Sequence, residues 1–234
     1  MSKNNMYDFV KGKTWNPLGG ECPHKCIYCY VENLKRFPVI QEKYSGKIRL
    51  DKKAMTKNLD KNNFWFVCSM NDLFADNVPI EYIVEILNIC NLYPKNKYLF
   101  QTKNPKRFIE FENYFPKNSI FCITVETEYY HNIGNKAPSP LQRCVDFSFL
   151  KLNRPKMITI EPIYDFSLSM FLHIIKMANV TQVNIGADSK GNKLPEPSKE
   201  KVLQLIDELK KFTKVYIKDN LRRIIGNKYK EGVV

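Results

Sequence analysis

No stretch of this chain approaches the roughly 20 consecutive apolar residues that a membrane-crossing helix requires. Met1 to Lys13 is polar and basic and lacks an apolar stretch, so it does not read as a secretory leader. Acidic residues are in short supply, 24 against 37 lysines and arginines, which leaves a formal charge of +13. Such an excess favours polyanions such as nucleic acid. The basic residues are nevertheless spread over Lys35-Arg36, Lys52-Lys53, Lys103 to Arg107, Lys210-Lys211, Arg222-Arg223 and Lys228 to Lys230. A disulfide framework is not expected either: the seven cysteines are an odd number, and three of them crowd between residues 22 and 29. Cys68, Cys90, Cys122 and Cys144 stand singly in apolar or amphipathic stretches and read as small buried hydrophobes. A soluble cytosolic protein with metal or redox chemistry is the expectation.

What is present is enough for a core, with 44% hydrophobic and 13% aromatic residues in a chain of 234, a length that suits one domain. Apolar runs read as strands at Phe64–Ser69, Lys97–Gln101, Ser119–Val125, Lys156–Ile160, Thr181–Ile185 and Thr213–Ile217, with a further short strand just ahead of Cys22. Between them lie helical patterns. Pro79 opens one in which Ile80, Ile83, Val84, Leu87 and Cys90 share a face, and Pro105 another with Phe108, Ile109 and Phe111. Leu141–Leu150 and Leu168–Met177 follow. Ser198 caps a helix with Val202, Leu205, Ile206, Leu209 and Phe212 on one side, and a basic helix runs near Asp219–Ile225.

Strands alternating with crossover helices predict right-handed βαβ units and a parallel sheet. Six or seven units fall short of the eight in a closed barrel. The expected fold is therefore α/β, a partial, open (β/α)6-type TIM-like barrel with its reactive groups at the carboxyl ends of the strands. Several polar residues fall there: Ser69, Asn71 and Asp72; Gln101, Thr102 and Lys103; Thr124, Glu126 and Thr127; Glu161; Asp188 and Ser189; Lys218 and Asn220. They predict a polar mouth around one axis.

Cys22, Cys26 and Cys29 form a C-x3-C-x2-C loop directly after Gly19-Gly20-Glu21. Three thiolates can hold three irons of a 4Fe–4S cubane, and the loop offers no fourth. Electron-transfer clusters and closed structural zinc sites both use four ligands, so a trio points to an open iron and chemistry at the metal. His24 stands in the same loop.

The cysteine loop, the aromatic Tyr28 inside it and the βα repeats after it resemble the radical S-adenosylmethionine (SAM) superfamily. Asn16-Pro17 and Cys26-Ile27-Tyr28-Cys29-Tyr30 are similar to the branch that contains spore photoproduct lyase. Over nearly the whole chain the resemblance is to an uncharacterised phage-associated family of the gp-thirty-seven/sixty-eight type. It is carried by Thr14-Trp15-Asn16-Pro17, Ser69-Met70-Asn71-Asp72-Leu73-Phe74, Gln101-Thr102-Lys103-Asn104-Pro105-Lys106-Arg107, Thr124-Val125-Glu126, Ile160-Glu161-Pro162, Ile185-Gly186-Ala187-Asp188-Ser189 and Lys218. The chain departs from that pattern at Ala187-Asp188, where the family has Gly-Glu, and at Asp219-Asn220, where it has Gln-Trp.

This resemblance implies one radical SAM-type domain over residues 1–234, with 12–36 as cluster loop and first helix and 64–225 as the remaining βα units. It implies a 4Fe–4S cluster on Cys22, Cys26 and Cys29, SAM on its open iron, and an external one-electron reductant of flavodoxin or ferredoxin type. By the same analogy Ser69, Asn71 and Asp72 lie by the SAM amino group, Thr124, Glu126 and Thr127 by the ribose or carboxylate, and Glu161 and Tyr28 by the adenine. The substrate it implies is nucleic acid, DNA or RNA, through lesion repair or base modification. Two alternatives stay open: a radical SAM enzyme acting on a peptide or small metabolite, and a non-enzymatic zinc or iron module. No catalytic hydrogen donor is legible.

Overall fold

The computed structural model describes residues 13–129, 136–229 and 232–233. Readings that fall on residues 1–12, including the polar start and the head of the cluster-loop span, and on Lys230 lie outside the described residues. Among the described residues no helix is long and apolar enough to cross a membrane.

The strand expected ahead of Cys22 is two short pieces, β1 (Thr14–Trp15) and β2 (Leu18–Gly19). Helices α1 (Tyr30–Leu34) and α2 (Pro38–Lys43) follow, then β3 (Arg49–Leu50) and α3 (Lys52–Met55). From there strands and helices alternate: β4 (Phe64–Val67), α4 (Ile80–Leu92), β5 (Lys97–Thr102), α5 (Lys106–Glu110), β6 (Ser119–Thr124), α6 (Pro140–Ser148), β7 (Lys156–Ile160). The series continues with α7 (Leu168–Met177), β8 (Gln182–Ile185), α8 (Lys199–Leu209), β9 (Lys214–Ile217), α9 (Arg222–Ile225) and β10 (Gly232–Val233).

Among the described residues the main sheet runs β1-β4-β5-β6-β7-β8-β9-β10, parallel throughout except for β10. β1 and β10 are its two edges and do not pair, so this is a partial barrel, as expected. β2 lies outside it and pairs antiparallel with β3.

Alternation along the strands separates two faces. Trp65, Val67, Phe100, Ile123, Ile158, Ile160, Val183 and Ile217 pack with the helices in the main core. Phe66, Leu99, Cys122 and Met157 form a second apolar cluster on the opposite, concave face. Cys122 therefore lies on the inner face, whereas Cys68 packs with Trp15 and Leu18 in the main core. On α4 the expected face is buried at Ile83, Leu87 and Cys90 and packs against the core at Val84, with Ile86 joining it, while Ile80 is exposed. Phe212 lies beyond the end of α8 and is partly exposed, beneath the Lys176 ammonium. Ser198 caps α8 by accepting from the Lys201 amide at 3.3 Å.

At the amino end of β7 the buried Lys156 donates to the Phe147 carbonyl at 2.7 Å, with its ammonium 4.6 Å from the Phe147 ring centroid. Burial lowers its pKa to about 8. Between that value and the ordinary lysine range the unfolded chain binds a proton that the folded chain does not, so stability from this site rises with pH. Lys156→Met should therefore be at its most favourable relative to wild type near pH 7. That relative advantage should shrink as pH rises above about 8, read by denaturant melts at several pH values.

Candidate active site

The three cysteines occupy the loop between β2 and α1, and all are partly exposed. The Cys29 amide donates to the Cys26 carbonyl at 2.9 Å, closing a turn that draws the second and third thiols together. Gly20 sets the entry to the loop. Its φ is +91°, and a Cβ there would sit 2.4 Å from the Lys47 carbonyl oxygen, so no other residue fits. Its amide donates to the Lys43 carbonyl at 2.7 Å, fastening the loop beneath α2.

Residues after β4 brace the same loop. Asn16 Oδ1 accepts from the Met70 amide at 3.1 Å and Ser69 Oγ at 3.2 Å. Asn71 Nδ2 donates to the Gly20 carbonyl at 3.0 Å, and Tyr30 Oη donates to the Ser69 carbonyl at 2.7 Å. Asp72 is buried and its carboxylate is saturated. It accepts from the Phe74 amide at 3.0 Å, the Lys103 amide at 2.8 Å and Thr102 Oγ1 at 2.7 Å. His24 Nε2 lies 2.8 Å from its other face. A carboxylate only accepts, so the imidazole proton sits on Nε2. Burial raises the Asp72 pKa, but the His24 hydrogen bond and charge, with the Lys103 amide and Thr102 hydroxyl, outweigh it and hold the group below the usual range.

A second buried carboxylate follows β6. Glu126 pairs with Arg143 Nη1 at 2.8 Å, and both side chains are only 1% exposed. Tyr28 Oη donates to its other oxygen. Burial works against the Glu126 anion, yet Arg143 first and then Lys103 bring its pKa below the usual range. Tyr28 is driven the other way by burial and the Glu126 charge, so it keeps its proton. Arg143 also donates to the carbonyls of Thr124 and Pro138, fixing the end of β6.

Between the two acids, at the end of β5, the Lys103 ammonium lies 5.4 Å from the Tyr28 ring centroid. Burial lowers its pKa, but the Cys26 and Glu126 charges more than restore it, so the cation is kept. Burial lifts the Cys26 thiol against the pull of Lys103, and lifts Cys22 to about 12 with help from the Asp72 charge. A ligated thiolate must lose that proton, so metal binding here releases protons.

The remaining sequence-read residues divide. Thr124 Oγ1 accepts from Gln101 Nε2 at 3.0 Å on the rim near Glu126. Thr127 Oγ1 instead donates to the Asp165 carbonyl at 2.8 Å. Glu161 belongs to another knot across β7, β8 and β9, where Lys218 and Asn220 both donate to it and Asn220 also donates to the Ala187 carbonyl at 2.8 Å. A Cβ at Gly186 would lie 2.9 Å from Glu161 Oε1, so a larger residue there would displace the Glu161 side chain from this knot.

Three free, partly exposed thiols on one loop are a donor set that fits a 4Fe–4S cubane with one iron left open. Among the described residues no three His, Cys, Asp or Glu side chains converge on one metal point. His24, the one imidazole in the loop, is already engaged by Asp72.

A family model described as a protein of unknown function, DUF5131, matches residues 9–142. No curated protein matches. Among solved structures, the chain is similar to a cysteine variant of spore photoproduct lyase with a TM-score of 0.52 at 12% identity, over 89% of this chain and 65% of that one. A variant of the lyase with bound AdoMet and dinucleoside spore photoproduct gives 0.51 at 11% identity, over 83% and 61%. The lyase complexed with dinucleoside spore photoproduct gives 0.50 at 12% identity, over 82% and 60%. The chain thus spans about three fifths of the length of these lyases, and at this identity the likeness is one of fold.

Proposed function

The chain belongs to the DUF5131 family, and from that premise we propose that it is a radical SAM enzyme, one domain throughout, acting on nucleic acid. The observation that carries this reading is the trio of free cysteines on one loop, braced against the strand ends of an open parallel barrel. A partial barrel similar to this one belongs to a lyase solved with AdoMet bound.

Cys22, Cys26 and Cys29 are the cluster ligands. Cluster and SAM together supply a carbon-centred radical by reductive cleavage of the sulfonium. Lys103 offers the SAM carboxylate a cation held in the mouth by the acids around it. Ser69 and Asn71 line the amino-group side, with Asp72 fixing their loop, since its own lone pairs are already used. Thr124 stands on the ribose side, with Glu126 fixing its segment through Arg143 and Thr127 holding it to Asp165. Tyr28, edge-on to Tyr164 at 6.2 Å, forms with Glu161 the adenine side. Electrons come from a flavodoxin- or ferredoxin-like protein. The charge of +13 and the dinucleoside lesion bound by the structural relative support a nucleic-acid substrate.

Anaerobic reconstitution with iron and sulfide tests the reading. The expected result is a reduced cluster whose EPR signal changes when SAM is added, with slow release of 5′-deoxyadenosine. Uptake of zinc without iron would sink it. Gel shifts on DNA and tRNA across a salt series test the substrate class: phosphate contacts give a steep loss of affinity with salt, and weak, salt-independent binding would exclude it.

A further inference from the structure

The spacers of the cysteine loop reach across three consecutive strand ends. His24, between the first two cysteines, binds Asp72 after β4. Tyr28, between the last two cysteines, binds Glu126 after β6. Between these contacts, at the end of β5, the Lys103 ammonium lies 5.4 Å from the Tyr28 ring centroid. The rim is thus acid, base, acid, and the two spacers meet its two acids.

Both acids are held from behind. Thr102, the Phe74 amide and the Lys103 amide fix Asp72, and Arg143 fixes Glu126. Each acid therefore has partners outside the loop, and the spacers His24 and Tyr28 tie the loop to them. We infer that His24 and Tyr28 are positioning residues that hold the cysteine loop in cluster-binding shape in the iron-free protein. Asp72 and Glu126 serve as their fixed anchors.

The usual behaviour of small metal sites is the reverse: the ligand loop orders only when metal binds, and binding energy is spent on that ordering. Here the ordering is built into the barrel, so iron meets a loop whose entropy has already been lost. The purpose assigned to the loop rests on the proposed cluster; its order in the absence of iron does not.

Backbone hydrogen exchange on iron-free full-length protein, followed in the peptide spanning Cys22 to Tyr30, measures that order directly. Wild-type protein should protect this segment. Tyr28→Phe removes one oxygen and one bond to a charged acceptor, and should speed exchange there roughly tenfold or more, with His24→Ala acting similarly. His24→Gln keeps an amide donor and should recover part of the protection. Exchange in the peptide containing β7 should not change, which also reports that each variant is folded. Should His24→Ala fail to fold, Tyr28→Phe carries the test.

A wild-type loop that exchanges as fast as an unstructured peptide overturns the inference, as does unchanged exchange in Tyr28→Phe. Iron titration of the same samples separates the two levels. Weaker iron uptake in Tyr28→Phe alongside faster exchange supports both. A protected loop that takes up no iron leaves the positioning role standing and removes the proposed cluster.

Discussion

Cys22→Ala, Cys26→Ala and Cys29→Ala should each reduce iron content after reconstitution to background and abolish 5′-deoxyadenosine release. The size of the effect follows from the ligand count: with three thiolates for four irons, losing one leaves two adjacent corners without protein. His24 cannot substitute, since its Nε2 is committed to Asp72 at 2.8 Å. Cys90→Ala and Cys144→Ala are the matched controls. Both side chains are fully buried in the main core, so these changes should leave iron content untouched and cost only modest stability from lost packing. Iron and sulfide analysis beside a thermal melt separates the two classes. A loop variant that still bound a full complement of iron would show that the trio is not the cluster site.

How much of this was legible from sequence depended on the length and burial of each segment. β7 and α7 stand where their residues predict, Lys156–Ile160 and Leu168–Met177, because each is an apolar run with clear punctuation at its ends. β1, β2 and β3 are two residues long, too short for any period to show. Nothing marked α2 either, for it buries none of its residues and so carries no apolar stripe. On α4 the spacing marks Ile83, Leu87 and Cys90, which are buried, but it also admits Ile80, which is exposed, and passes over Ile86, which is buried. Only the packing of the neighbouring elements decides these margins of the face.

Asp72, Lys103, Glu126 and Glu161 follow strands and Thr124 ends one, and the sequence shows that much. Which of them meet does not follow from spacing. The His24–Asp72 contact joins residues 48 apart and Tyr28–Glu126 residues 98 apart, so the sheet order alone brings them together. Arg143 was missed altogether, since on α6 it reads as an ordinary charged helix residue. It is in fact almost wholly buried, and its guanidinium reaches back under the end of β6.

Arg143→Met should therefore be among the most damaging single changes outside the cysteines. It leaves Glu126 ionised and buried without its closest cation, a loss of about 3–5 kcal/mol for a pair of this kind. The pH dependence identifies the cause. In the wild type Glu126 is held below its usual range, so its contribution is present above the unfolded value and fades as pH falls through the folded one. With the guanidinium gone, burial is opposed only by Lys103 and Tyr28, and the carboxyl moves up. Acid then neutralises an unpaired charge in the variant while it dissolves a favourable pair in the wild type. The stability gap should be widest near neutrality and narrow as pH drops through the carboxylate range, leaving the pH-independent loss of the bonds to Thr124 and Pro138. Adding Glu126→Gln to Arg143→Met removes the stranded charge and should recover part of the gap at neutral pH, a coupling that a double-mutant cycle reads directly. A gap that stays flat with pH, or a double variant no more stable than Arg143→Met alone, would mean that side-chain packing rather than the buried ion pair fixes the end of β6.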